Sequence, residues 1–97
     1  MKTEAMRENC VYVSGLMKAI SHPQRLMILC YLSEGEKNVS ELLEVCDVSQ
    51  SQLSQFLIRM NKEGLLDLRK EGQFSYYRIA DKNMIKLIQS MQKIFCA

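Results

Sequence analysis

The stretch V-S-E-L-L-E-V-C-D-V-S-Q-S-Q-L-S-Q-F-L-I-R-M-N-K-E-G-L-L at residues 39–66 runs on to R-K-E-G-Q-F-S-Y-Y-R-I at 69–79, and its reading decides the fold. Asn38, with Glu41 three residues on, makes a capping-box start for a short helix over Val39–Cys46. Asp47-Val48 turns the chain, and Ser49 with Gln52 opens a second box. The next helix keeps Leu53, Leu57 and Met60 inward and lets Gln50, Gln52, Gln55 and Arg59 point out. Asn61-Lys62-Glu63-Gly64 closes it, with Gly64 suited to a left-handed cap. Leu65–Arg69 and Phe74–Ile79 alternate as strands around a Glu71-Gly72 hairpin signal. Two short helices joined by a tight turn and followed by a two-stranded wing predict a winged helix-turn-helix.

The flanks supply helices. Residues 4–20 carry Met6, Cys10, Val13, Leu16, Met17 and Ile20 near a 3.6 period. Pro23 marks a new helix start with Ser21 or His22 as cap. The following R-L-M-I-L-C-Y-L at 25–32 is apolar nearly all round, which predicts a central helix buried on most faces and ended by Gly35. Asp81 caps a last amphipathic helix through Met84, Ile85, Leu87, Ile88, Met91, Ile94 and Phe95. The fold class is therefore mainly α with a β-hairpin, in the order helix, helix, helix, helix, hairpin, helix. One domain over 1–97 is expected. Its terminal helices, about 4–20 and 81–95, have more apolar surface than so small a core can use, so they are expected to pair into a homodimer.

Composition narrows the class. A hydrophobic fraction of 47% with 25% charged residues is that of a globular protein. No apolar run approaches the ~20 residues of a membrane span, and Met1-Lys2-Thr3-Glu4 lacks a signal-peptide core, so a cytoplasmic protein without a membrane partner is expected. Thiols stay mostly reduced there, so Cys10, Cys30, Cys46 and Cys96 are not expected to form a standing disulfide framework. Net charge is only +2, but Arg59, Lys62, Arg69, Lys70 and Arg78 gather in one half, against an acidic Glu34–Asp47. No nucleophile–base set or phosphate-cradling loop is present, and His22 is the single histidine, so an enzyme is not expected.

In a helix-turn-helix the second helix lies in the major groove and its N-terminal residues reach the bases. Those positions hold Ser49, Gln50, Ser51, Gln52, Ser54 and Gln55. Gln pairs in two places with adenine, and Ser donates or accepts at several base edges. Arg59, with Arg69, Lys70 and Gln73 from the wing, is expected nearer phosphates. A solvated polar helix face is the plainer alternative for the same residues.

L-M-K-A-I-S-H-P-Q-R-L-M-I-L at 16–29, V-S-E-L-L at 39–43, S-Q-S-Q-L-S-Q-F-L at 49–57, E-G-L-L at 63–66 and Y-Y-R-I at 76–79 together resemble the ArsR/SmtB winged-helix regulators. The resemblance implies a dimeric bacterial repressor that binds an inverted-repeat operator in double-stranded DNA and leaves when an inducer arrives. Many members sense metals. The family's thiol site resembles E-L-C-V-C-D-L, whereas Glu41-Leu42-Leu43-Glu44-Val45-Cys46-Asp47 keeps one thiol of two. The zinc-type site on the last helix needs histidines that are missing here, so neither a metal nor another cofactor is expected. Phe56 stands where a polar residue is usual in the family.

Within the family, Cys30 in R-L-M-I-L-C and Cys96 in I-F-C resemble the dithiol signature of the BigR/SqrR-type persulfide sensors and their HlyU-like relatives. That resemblance implies a redox-sensing pair whose inducers are low-molecular-weight persulfides or oxidants. A disulfide needs Cα atoms within ~7 Å, and each inserted sulfur adds about 2 Å of reach, so a polysulfide bridge suits thiols slightly too far apart. Taken alone, Cys30 reads more readily as a small core residue than as a sensor. Cys10 is expected to pack in the first helix's stripe, and Cys46 to be an exposed bystander or the relic of a metal site. Two alternatives stand beside the dithiol repressor. One is an HlyU-like activator that displaces another DNA-bound repressor; the other is a metal-ion sensor.

Overall fold

The computed structural model describes residues 3–96, so Met1, Lys2 and Ala97 of the expected 1–97 domain lie outside the described residues. In chain order the elements are α1 (Thr3–Ala19), α2 (Pro23–Leu32), β1 (Lys37–Asn38), α3 (Val39–Val45), α4 (Gln50–Lys62), β2 (Leu66–Glu71), β3 (Phe74–Ile79) and α5 (Lys82–Phe95). Side-chain caps set most of the helix starts. His22, not Ser21, caps α2, its Nδ1 accepting from the Gln24 N–H at 3.2 Å ahead of Pro23. Asn38 and Glu41 close a full capping box on α3, and Ser49 and Gln52 close another on α4. Asp81 accepts from the Asn83 N–H at 2.8 Å to open α5. Each such cap satisfies one or two otherwise orphaned N–H groups and stabilises by about 1 kcal/mol.

The end of α4 is a Schellman turn: the Leu65 N–H reaches the Met60 carbonyl at 2.9 Å and the Gly64 N–H reaches Asn61 at 3.1 Å. Gly64 takes φ +81° to make it, a conformation a Cβ would strain. The turn uses Leu65, so β2 starts at Leu66 and runs to Glu71, two residues beyond the expected strand end. Glu71 pairs with Phe74 across a two-residue turn in which Gly72 alone has positive φ (+60°), as a type II′ hairpin needs. The sheet has three strands rather than two. β1 adds antiparallel to β3, Lys37 opposite Tyr77 and Asn38 opposite Tyr76, in the order β1-β3-β2. A two-residue strand carries no readable period, which is why the sequence shows only the hairpin.

The core gathers one side of every helix from α2 to α5: Ile28, Leu29, Leu32, Leu42, Leu53, Leu57, Met60, Met84 and Ile88 are almost wholly buried, with Leu66, Tyr77 and Ile79 from the sheet. Burying each such aliphatic side chain stabilises by roughly 2 kcal/mol, more than any single cap contributes. Helix α2 is less enclosed than its composition predicts, since Met27 is half exposed and Leu26, Cys30 and Tyr31 are half-buried. Arg25 on α2 grips Glu63 at the end of α4 at 2.6 Å, which holds the two helices in place and keeps the Glu63 carboxyl below the usual range.

The helix α1 stands apart. Only Leu16 and Ala19 on it are buried, while Val11 is 77% exposed and Met6, Tyr12, Val13 and Met17 are open. The Cα radius of gyration is 14.4 Å, against about 12.5 Å for a compact chain of this length. The Tyr12 hydroxyl donates to the Asp81 carboxylate and so ties α1 to the start of α5. No helix among the described residues is long and apolar enough to cross a membrane.

Candidate nucleic-acid interface and thiol pair

On α4, Leu53, Leu57 and Met60 face the core, and this packing turns Gln50, Ser51, Gln52, Gln55 and Arg59 to the exposed side, with Ser54 half-buried. Two of these residues also hold the helix. The Ser49 hydroxyl accepts from the Gln52 N–H at 3.1 Å, and Gln52 Oε1 accepts from the Ser49 N–H at 3.1 Å. Gln52 therefore keeps its amide NH2 for an outside partner, while its oxygen is engaged. Gln50, Ser51 and Gln55 carry polar groups with no protein partner among the described residues. Phe56, half-buried, packs its ring 5.3 Å from that of His22. This is why an aromatic residue is tolerated next to the exposed row, and it places the lone histidine in packing and capping.

In the wing, Arg69 is held by two carboxylates. Arg69 donates to Glu36 through Nη2 at 2.7 Å and Nε at 3.2 Å, and to Glu71 through Nη1 at 2.6 Å. Its guanidinium lies over the Tyr76 ring, 4.5 Å from the centroid. The Arg69 hydrogen bonds hold the Glu36 carboxyl below the usual carboxylate range, and the two carboxylates raise the Arg69 pKa still further. Lys70 and Gln73 are exposed, and Lys70 forms no ion pair among the described residues. Arg78 pairs with Asp67, its cross-strand neighbour, at 3.3 Å.

All four cysteines are free thiols, and their surroundings differ. Cys30 on α2 is half-buried, and burial raises its pKa; the neighbouring Gln92 side chain lowers it in part, and the nearby Cys96 thiol raises it a little. Cys96 is the exposed C-cap of α5, its N–H bonded to the Gln92 carbonyl at 2.8 Å. Gln92 and Cys96 lie one helical turn apart, so one face of α5 brings an amide and a thiol to Cys30. Sequence reasoning missed Gln92; the i, i+4 spacing from Cys96 is the signal that was available. It also missed Glu36 and Tyr76, the partners of Arg69. Cys46 corrects an expectation. It is 7% exposed, packed in the core with its pKa raised by burial, because the C-cap of α3 turns its side chain inward. Cys10, expected to pack, is exposed on α1. Among the described residues no three His, Cys, Asp or Glu side chains gather as metal ligands.

Comparison with known proteins gives this surface its setting. Residues 22–67 match the family model of bacterial regulatory proteins of the arsR family. The biofilm growth-associated repressor of Agrobacterium fabrum is 39% identical over 93 residues, which span 96% of this chain and 80% of that repressor. This chain belongs to the ArsR family. The transcriptional activator HlyU of Vibrio cholerae is 33% identical over 96 residues, 99% of this chain and 89% of HlyU. The structure of the repressor BigR from Xylella fastidiosa superposes with a TM-score of 0.90 at 35% identity, covering 100% of this chain and 99% of that one. Reduced HlyU superposes with a TM-score of 0.86, covering 97% and 99%. This ArsR-family chain is thus a winged-helix DNA-binding transcriptional regulator of the BigR and HlyU type, a class that is not enzymatic.

Proposed function

We propose that this regulator is a dithiol-gated repressor that binds an inverted-repeat operator as a homodimer and is released when Cys30 and Cys96 are joined. The observation that carries the reading is the packing of α2 against α5, with Gln92 and Cys96 close enough to Cys30 to bear on its thiol. Gln50, Ser51, Gln52, Ser54 and Gln55 read base edges from the N-terminus of α4, where aligned N–H groups also favour a phosphate. Ser49 holds that terminus, and Arg59, Lys70 and Gln73 contact the backbone. The open apolar faces of α1 and α5, with Val11 77%, Ile94 72% and Phe95 80% exposed, support the dimer.

Low-molecular-weight persulfides are the proposed inducers. Each thiolate takes the outer sulfur of a donor persulfide and releases the donor as its thiol. The Cys96 persulfide anion then attacks the Cys30 sulfur, expels hydrosulfide and leaves a trisulfide between α2 and α5. Because α5 lies in the proposed dimer face, the bridge alters the spacing of the two reading helices. A coupling of about 1–3 kcal/mol between bridge and DNA suffices for release. The test is DNA affinity of Cys30→Ser and Cys96→Ser after glutathione persulfide: both variants are expected to bind DNA when reduced and to ignore the donor. Release that persists in either variant contradicts the reading. The name of its relative HlyU favours activation as a second reading, which a reporter fused to the target promoter separates: output falls on deletion of an activator and rises on deletion of a repressor.

A further inference from the structure

We infer that Arg69 is a positioning residue that fastens the wing to the start of the helix-turn-helix, and is not itself a phosphate contact; this rests on the DNA-binding reading above. Arg69, Tyr76 and Asn38 form one row across the three strands, each the register partner of the next. Neighbouring strands lie ~4.8 Å apart, so the row spans about 10 Å. The Arg69 and Glu36 side chains together cover that span. The Arg69 guanidinium lies over Tyr76 on the middle strand and reaches Glu36, just before β1, while Glu71 holds its other side from the same strand. The far end of the row, Asn38, is the residue whose side chain caps α3. One guanidinium thus links the wing to Glu36, two residues before the Asn38 cap of the first helix of the reading motif.

Charge argues the same way. Three N–H groups of Arg69 are engaged at 2.6–3.2 Å by two carboxylates, so the cluster carries one positive and two negative charges. A phosphate approaching Arg69 meets net negative charge and must displace a fork-shaped contact that matches guanidinium geometry. Lys70 follows on the opposite face of the strand, opposite Ser75, with no carboxylate on it among the described residues. It is the wing cation available to DNA.

The two roles predict opposite signs for one substitution. If Arg69 were a phosphate contact merely parked on Glu36, Glu36→Gln would free it, remove a negative charge and tighten DNA binding. If Arg69 positions the wing, Glu36→Gln loosens the wing and weakens binding. The experiment is a fluorescence anisotropy titration over a range of potassium chloride concentrations. Its probe is a labelled duplex that the wild-type protein enriches from a randomised pool. Arg69→Gln and Glu36→Gln are each expected to weaken binding by about five-fold while the slope of log affinity against log salt stays that of wild type. Lys70→Gln is expected to reduce that slope by about 0.9. Arg69→Lys is expected to fail to rescue, because an ammonium keeps the charge but lacks the fork that bridges two carboxylates. Circular dichroism of each variant separates a misfolded protein from a misplaced wing. A slope reduced by about 0.9 in Arg69→Gln, or tighter binding by Glu36→Gln, overturns the inference while DNA binding stands. Failure of the wild-type protein to enrich any duplex removes the DNA reading as well.

Discussion

Cys30 and Cys96 have the same side chain in unlike settings, and their reactivity should differ accordingly. Burial raises the Cys30 pKa, so less of it is thiolate near neutral pH, while Cys96 sits exposed at the end of α5. Iodoacetamide is expected to modify Cys96 before Cys30, read by peptide mass. Gln92, beside Cys30, offsets part of the effect of burial and favours the thiolate. Gln92→Leu is therefore expected to move the midpoint of Cys30 alkylation to higher pH and leave Cys96 where it was. An unchanged Cys30 profile would show that Gln92 does not tune the thiol. Cys30 and Cys46 also set a stability trend. Both thiols have folded pKa values raised by burial, so the folded state holds their protons more tightly than the unfolded one. Their contribution is full below the unfolded value of about 8.5 and is lost as pH rises through the folded values, so Tm is expected to fall above about pH 8.5.

At the scale of elements, α4 depends on its cap and its apolar stripe. Ser49→Ala removes a hydroxyl that satisfies the Gln52 N–H and is expected to cost about 1 kcal/mol in urea unfolding. Leu57→Ala, at a side chain with no exposure, is expected to cost about 2–5 kcal/mol. An exposed-face change such as Gln55→Ala should cost almost nothing in stability while altering base preference. Most elements were readable because their signals are local: cap pairs three residues apart, a 3.6 period over ten or more residues, a glycine at a hairpin turn. What escaped reading depends on distant partners. The two residues of β1 become a strand only through Tyr76 and Tyr77, and Arg69 is bound to Glu36, which lies 33 positions earlier. The inward turn of Cys46 follows from how α3 meets the core, which no pattern around residue 46 reveals. Of the candidate site, the exposed row on α4 was legible from the positions of Leu53, Leu57 and Met60, whereas the setting of Cys30 required the packing of α5 on α2.

For the molecule as a whole, the apolar faces of α1 and α5 are the feature a lone chain leaves unused. Sedimentation is expected to give twice the chain mass, and Val11→Glu together with Phe95→Glu to give a monomer, because each places a charge on an apolar face. Loss of the dimer separates two half-site contacts, so affinity for an inverted repeat should fall far more than affinity for a half-site. The Tyr12–Asp81 contact joins α1 to α5 within a protomer, and Cys96 lies at the other end of α5. A bridge from Cys96 to Cys30 therefore pulls on the same helix that α1 and the proposed partner share. The most direct test of this account exposes the fully reduced protein to glutathione persulfide and, separately, to hydrogen peroxide, with intact and peptide masses read beside DNA affinity. The account predicts a Cys30–Cys96 crosslink carrying extra sulfur and DNA binding weakened by about ten-fold or more after the persulfide. Unchanged affinity, or a crosslink that omits either cysteine, would contradict it.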